Sequence, residues 1–245
     1  MKAMIFAAGL GTRLRPLTDD RPKALVEING VTLLERVIHN LADYGFTDIV
    51  VNVHHFADKI IAFLDQSHSF GLNIAISDER DLLLETGGGV LHARDFLDGN
   101  EPFLVHNVDI LSTINLAEFY RTHCDSQALA TILVKDRPTQ RYFLFNDNDA
   151  LCGWTNIKTG ETKPSGVNAS LLQHLAFGGI HVMSPKIFPL LHDFAEGNPV
   201  FSITPFYIQA CRNHFIQGYQ PTDGYRWLDV GKPESIQAAS ELFPL

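Results

Sequence analysis

The chain is predicted to fold as an α/β protein, a three-layer α/β/α arrangement around a mostly parallel mixed sheet. Three observations predict it. Apolar, β-branched runs alternate with segments of helical period through the first half. The first such run, residues 2–7, ends directly in glycines. With 45% hydrophobic and 19% charged residues over 245 positions, the chain can bury a substantial core. Repeated β-α-β-α units need crossover connections, so neighbouring strands run parallel and helices cover both faces.

Residues 2–7 read as a buried strand. Thr32 opens a helix as a capping box, with Glu35 three residues later to return the hydrogen bond. Leu33, Leu34, Val37, Ile38 and Leu41 follow at helical spacing, and Gly45 stops the run. Residues 47–53 form a second strand, and Phe56, Ile60, Phe63 and Leu64 fit one face of a second helix. Residues 72–76 are a short strand, 90–96 a helix, 102–106 an apolar strand, 116–123 a helix and 128–134 a strand. In the second half, 142–146 and 150–155 flank the polar Asp147-Asn148-Asp149, which predicts a hairpin. Residues 160–168 read as a polar loop, 175–183 as a strand, and 185–192 and 203–213 as helices. A final strand at 225–230 precedes a helix begun at Pro233, where proline is tolerated. No repeat, low-complexity tract or linker divides the chain, so one domain over residues 1–245 is expected.

Charge narrows the function. With 28 acidic against 19 basic residues the net charge is −9, and no basic stripe is available to displace counterions from nucleic acid. A small phosphorylated ligand needs only a few local cations and remains open. Cys124, Cys152 and Cys211 have no metal-like spacing, and so sparse a set suits a reducing compartment. The apolar start is broken at Gly9, Gly11, Arg13 and Arg15, too early for a signal peptide, and no run approaches the roughly 20 apolar residues of a membrane span. A cytoplasmic location with no membrane partner is expected. His54 and His55, adjacent on extended chain, point to opposite faces and read as polar loop residues.

Ligands of such sheets bind beyond the carboxyl ends of the strands, which points to residues 8–23, 78–89 and 107–109. Gly9-Leu10-Gly11 after a strand is a phosphate-binding signal, because glycine lets backbone N–H groups approach phosphate oxygens closely. It is not a dinucleotide fingerprint, since Leu14 occupies the place of the last glycine, and no GxxxxGK[ST] occurs in the chain. Arg13, Arg15 and Lys23 supply cations in the same segment.

The segment Ala7-Ala8-Gly9-Leu10-Gly11-Thr12-Arg13-Leu14-Arg15-Pro16-Leu17-Thr18, followed by Arg21-Pro22-Lys23-Ala24-Leu25, closely resembles the signature of the sugar-1-phosphate nucleotidyltransferases. Three later segments match in order. Glu85-Thr86-Gly87-Gly88-Gly89 resembles the base-contacting loop, Asn107-Val108-Asp109 a metal-binding motif, and Trp227-Leu228-Asp229-Val230-Gly231-Lys232-Pro233-Glu234 the second metal motif.

The resemblance implies a Rossmann-like fold of the nucleotide-diphospho-sugar transferase type. Residues 1–135 would form its nucleotide-binding core, and 136–245 the sugar-binding part and C-terminal elaboration. It implies a nucleoside triphosphate and a sugar 1-phosphate as partners, in a monomer or homodimer. Asp109 and Asp229 would hold Mg²⁺, which favours carboxylate and phosphate oxygens. Arg13 and Lys23 would be catalytic, and Ala8, Gly9, Gly11, Thr12 and Arg13 would meet the nucleotide, with Glu85 and Gly88 facing the base. Asn107, Arg141, Glu161 and Gly179 would lie toward the sugar phosphate. Two departures stand out: Val108 replaces the usual glycine of Asn-Gly-Asp, and Arg141-Tyr142 replaces a Tyr-Gly. Trp154 and Trp227 read as packing rather than stacking residues. The length and the Glu-Thr-Gly-Gly-Gly segment resemble the branch using UTP with N-acetylmuramate 1-phosphate or GTP with mannose 1-phosphate. A phosphocholine cytidylyltransferase and a non-catalytic nucleotide-binding regulator are the alternatives.

Overall fold

The computed structural model describes residues 1–222 and 224–244. Its elements follow the chain as β1 (Lys2–Phe6), β2 (Glu27–Ile28), β3 (Val31–Thr32), α1 (Leu33–Asp43), β4 (Asp48–Val53), α2 (Ala57–Gln66) and β5 (Asn73–Asp78). Then come α3 (Glu85–His92), α4 (Arg94–Leu97), β6 (Phe103–Asn107), β7 (Ile110–Ser112), α5 (Leu116–Ser126), β8 (Ala130–Lys135), β9 (Arg141–Phe145) and β10 (Leu151–Asn156). The chain closes with β11 (Glu161–Lys163), β12 (Gln173–Met183), α6 (Ile187–Ala195), α7 (Ile203–Ala210), β13 (Ile216–Tyr219), β14 (Trp227–Asp229) and α8 (Glu234–Leu242).

The main sheet runs β11-β10-β9-β12-β6-β1-β4-β5, with β8 paired to β12 and β13 to β8. The parallel pairs are β6-β1, β1-β4, β4-β5 and β8-β13, and the ladders of β12 with β6, β8 and β9 are antiparallel. The sheet is therefore mixed, with its parallel half where the βαβ units were expected. Central β1 is buried on both faces through Ala3, Met4 and Ile5. One core packs α1, α2, α5 and α8 on one face, through residues such as Leu34, Ile60, Phe119 and Ala239. The second packs α3, α6 and α7 on the other, through Val90, Phe188 and Tyr207. Among the described residues no helix is long and apolar enough to cross a membrane.

The α1 boundary follows the Thr32 signal. Its hydroxyl accepts from the Glu35 N–H at 3.1 Å, and Leu33, Leu34, Val37, Ile38 and Leu41 form the buried stripe. The return bond from Glu35 is not made among the described residues; its carboxylate lies 3.8 Å from His39 instead.

Two sequence expectations need correction. The helix expected over 90–96 starts earlier, at Glu85, so the three glycines lie inside α3 rather than in a loop. Glycine costs about 1 kcal/mol per helical position against alanine, which hid the helix in the sequence. Close packing explains why they are glycines: Gly87 and Gly88 both donate to the Phe201 carbonyl, at 2.9 and 3.1 Å. A Cβ would press Gly87 into the Phe201 ring and Gly88 into the Pro199 carbonyl. The stretch 160–168, read as a polar loop, contains β11 on the sheet edge, where Thr155 Oγ1 donates to the Glu161 carbonyl at 3.1 Å. An edge strand with exposed polar side chains carries no apolar alternation, so it has no strand signal.

Candidate active site

The parallel strands put three residues level at their carboxyl ends. In the ladders Phe6 of β1 sits opposite Asn107 of β6 on one side and Asn52 of β4 on the other. Asn52 is buried, and its Oδ1 accepts from the backbone N–H of both Ala7 (2.7 Å) and Ala8 (3.2 Å). Its amide donates to Glu79 Oε1 at 2.8 Å, and Glu79 Oε2 accepts from the Leu84 N–H at 3.1 Å. One chain of bonds thus ties the glycine segment to the entry of α3. Burial pushes the Glu79 carboxyl above its usual range, partly offset by the Asn52 and Leu84 bonds. His54 Nδ1 lies 2.7 Å from the Glu79 carbonyl, which fits its reading as a polar loop residue.

Beyond this network the chain turns at Gly11, whose φ of +65° favours glycine. A Cβ there would also lie 3.1 Å from Thr18 Cγ2 and 3.2 Å from Lys23 Cβ. Leu14 is fully buried and anchors the turn in the core. Lys23 is carried back, nearly buried, to an ion pair between its Nζ and Asp109 Oδ2.

A second connection brings Asp229 to the same place. After β6 the chain passes through Val108 and Asp109 into β7, which pairs antiparallel with β14 so that Asp229 faces Ile110. The Val230 N–H donates to the Asp109 carbonyl at 2.8 Å, which closes the ladder. Val108 is buried in the core without a left-handed backbone, so a side chain replaces the usual glycine without strain. Asp229 Oδ1 is buried and has no hydrogen-bond partner among the described residues. Burial raises its carboxyl above the ordinary value of 3.8, the neighbouring Asp109 adds to this, and Lys23, Arg13 and Arg137 oppose it.

Between these elements lies a cavity of about 250 Å³, lined by residues that include Ala8, Gly9, Lys23, Asn52, Glu79, Glu85, Thr86, Asn107 and Asp109. Arg13 borders an adjoining hollow with Asp229, Gly231 and Lys232. A Cβ on Gly231 would lie 2.6 Å from Asp229 Oδ1 and 2.8 Å from an Arg13 guanidinium nitrogen, so only glycine leaves both groups in place. Gly179, with φ +78°, interrupts the β12–β8 register, and a Cβ there would lie 3.2 Å from Asn107 Nδ2.

Lys23, Asp109, Asp229, Asn107 and Gly179 thus converge, with Ala8, Gly9, Glu85 and Arg13 around them. Exposed Thr12 starts a short 3₁₀ turn with Arg13. Gly88 lies behind the cavity wall, against Pro199. Arg141 is exposed at the start of β9 and does not line the cavity. Glu161 is exposed on edge strand β11, where its carboxylate pairs with Lys163 at 3.0 Å. Trp227 donates its indole N–H to the Gly178 carbonyl at 2.8 Å, and Trp154 packs against the second core.

Sequence reasoning missed Asn52, Glu79 and a cationic pair on the far side of Asp229. Lys135 Nζ lies 5.0 Å from the Trp227 ring and 4.8 Å from that of Tyr225, and the Arg137 guanidinium lies 5.1 Å over Trp227.

Whether this constellation suits a divalent cation follows from its donors. Two carboxylates, Asp109 in the turn between β6 and β7 and Asp229 at the end of β14, offer hard oxygen ligands, and one Asp229 oxygen is buried and unpartnered among the described residues. Among the described residues no third acidic, histidine or cysteine side chain completes a cage. That suits Mg²⁺, which takes few protein ligands and fills its shell with water and substrate phosphate.

The fold and this strand-end cleft define a nucleotidyltransferase-type α/β protein. Its sheet and helices match the solved structure of HddC from Yersinia pseudotuberculosis complexed with GMP-PN, with TM-score 0.78 over 99% of each chain at 21% identity. The chain belongs to the nucleotidyl transferase family, whose profile matches residues 2–243. It is 34% identical to the N-acetylmuramate alpha-1-phosphate uridylyltransferase of Caulobacter vibrioides over 97% of this chain and 94% of that protein. The enzyme of the same name from Neisseria meningitidis serogroup B is 32% identical over 99% of this chain and 98% of its own. Mannose-1-phosphate guanyltransferase 2 of Candida glabrata is 28% identical over 99% of this chain and 64% of its own.

Proposed function

We propose that the protein joins a nucleoside triphosphate to a sugar 1-phosphate, giving an NDP-sugar and pyrophosphate. The observation that carries this reading is the convergence of Lys23, Asp109 and the orphaned Asp229 oxygen beside the glycine-segment cavity. Residues 1–135 serve as the nucleotide-binding core and 136–245 as the sugar side. Ala8, Gly9, Gly11, Thr12 and Arg13 receive the nucleotide, with Glu85 and Gly88 on the base side. The Ala8 N–H is already given to Asn52, which leaves its carbonyl for ligand. Asn107, Arg141, Glu161 and Gly179 belong to the sugar side.

In the reaction an oxygen of the sugar 1-phosphate attacks the α-phosphorus. The bond from that phosphorus to its bridging oxygen breaks, and pyrophosphate leaves with the electron pair. No covalent enzyme intermediate is required, so the protein positions the two substrates and neutralises their charge. In this reading Lys23 neutralises charge at the α-phosphate and the attacking phosphate, and Arg13 holds the β- and γ-phosphates and stabilises the departing pyrophosphate. Asp109 and Asp229 would hold Mg²⁺, which when bound neutralises phosphate charge and draws the two substrates together.

UTP with N-acetylmuramate 1-phosphate is the favoured pair, because the two uridylyltransferases match over nearly the whole length of both chains. GTP with mannose 1-phosphate is the second reading, supported by the guanyltransferase that matches 99% of this chain. A matrix of nucleoside triphosphates against sugar 1-phosphates, with Mg²⁺ and with a chelator, tests both. Pyrophosphate release in one cell of the matrix, lost with the chelator, is expected. Silence across the whole matrix refutes the proposal.

A further inference from the structure

The cations beyond Asp229 lie over aromatic rings rather than against carboxylates. Lys135 ends β8, which runs antiparallel to β12 as β6 does, so it emerges on the same edge of the sheet as Asn107. Arg137 follows in the turn before β9. Both are half-buried, and among the described residues neither makes an ion pair. Among the described residues Arg137 Nε is buried with no partner, and the bond the side chain makes is a long donation, 3.4 Å, to the Phe177 carbonyl. That carbonyl immediately precedes Gly178-Gly179, the bulge that packs against Asn107.

The two side chains converge on one ring. Arg137 lies 5.1 Å and Lys135 5.0 Å from Trp227, whose own N–H is fixed to the Gly178 carbonyl. Trp227 and Asp229 are two residues apart on β14, so they share a face about 7 Å apart. A ring held in this way keeps a guanidinium pre-organised, with one long bond drawn from its N–H groups among the described residues. Two like charges held close repel each other, and an anion between or beside them relieves that repulsion.

We propose that Arg137, supported by Lys135 and held by Trp227, is the residue that grips the phosphate of the sugar 1-phosphate. The inference rests on the nucleotidyl-transfer reading above and deepens it. Lys23 is paired with Asp109 and divides its charge between that carboxylate and the two phosphates, and Arg13 stands beside Gly231. The attacking phosphate is a dianion that must approach the same carboxylates, so it needs a cation on the sugar side. Arg137 fills that need, and its planar fork matches two phosphate oxygens at once. A carboxylate carried on the sugar ring has the same chemistry, but it need not sit beside Asp229, whereas the attacking phosphate must.

Steady-state pyrophosphate release, with each substrate varied in turn, tests the assignment on wild type, Arg137→Gln and Arg137→Lys. Two acceptors are used, one with a carboxylate on the sugar and one neutral apart from its phosphate. Arg137→Gln is expected to raise the KM for both sugar phosphates by roughly 10- to 100-fold, the scale of a lost hydrogen bond to a charged group. The KM for the triphosphate stays within about twofold, and Arg137→Lys recovers part of the loss because it restores the charge without the fork. A rise confined to the carboxylated sugar, an equal rise in both substrate KM values, or no change overturns the assignment. A wild type silent across the substrate matrix refutes the underlying reading instead, and is distinct from an active wild type indifferent to Arg137.

Discussion

Replacing Asn52 by alanine removes one side chain that meets three groups. The Ala7 and Ala8 N–H groups, at 2.7 and 3.2 Å, lose their shared acceptor inside the core. Glu79 Oε1 loses its donor at 2.8 Å. A buried N–H left unpaired costs about 1–3 kcal/mol, so two such donors and a weakened carboxyl cost roughly 3–5 kcal/mol. For a chain of this size that lowers Tm by roughly 10 °C, at about 2–4 °C per kcal/mol. Function suffers as well, because Ala7 and Ala8 lead directly into Gly9 and Gly11, so the KM for the triphosphate rises. Thermal unfolding and kinetics on Asn52→Ala and Asn52→Asp separate the terms. The aspartate keeps the acceptor for both N–H groups, sets a second carboxyl against Glu79, and is expected to retain more of the triphosphate affinity than alanine. An alanine variant that melts within about 2 °C of wild type, with unchanged triphosphate KM, would refute this account of the network.

Three further outcomes are expected. Gly11→Ala places a Cβ 3.1 Å from Thr18 and 3.2 Å from Lys23 at a φ of +65°, and it should cost about 1–2 kcal/mol together with weaker triphosphate binding, read by denaturation and by KM. Asp109→Asn leaves Lys23 without its carboxylate partner. Turnover should fall roughly 100-fold or more, while stability falls by less than the about 3–5 kcal/mol of a fully buried pair, since the side chains keep 11% and 18% exposure. The third concerns pH. The folded Asp229 carboxyl titrates above 3.8, so the stability it contributes is present below that value and lost as pH rises through its raised pKa. Asp229→Asn lacks that decline, so its urea-unfolding curves should gain on wild type as pH rises through the window, and parallel curves would contradict the claim.

The legible parts of this protein are those whose signal is local. Gly9, Gly11, Arg13 and Lys23 lie within one segment, and the alternation of strands and helices located the ends at which Asn107 and Asp109 emerge. Asp229 could be paired with Asp109 only through the resemblance, because the β7–β14 ladder joins residues distant in sequence and three-residue strands carry no period. Asn52 escaped notice because a single asparagine in a β-branched run looks like solvent-facing alternation. It is buried, and its partners come from two other segments. The α3 glycines were misread for the opposite reason, since their propensity argues against the helix that the Phe201 carbonyl and the close approach of Pro199 require. Arg137 gave no sign, because a lone arginine in a polar turn is ordinary until Trp227 is brought beneath it.

The most direct measurement of the central claim is a phosphorus NMR time course with UTP, N-acetylmuramate 1-phosphate and Mg²⁺, repeated with GTP and mannose 1-phosphate. The account predicts that in one of the two mixtures a sugar-linked diphosphate diester and pyrophosphate appear in equal amounts. Both should vanish in the Asp109→Asn variant. Release of phosphate or pyrophosphate without an equal amount of diester, or no change in either mixture, would contradict it.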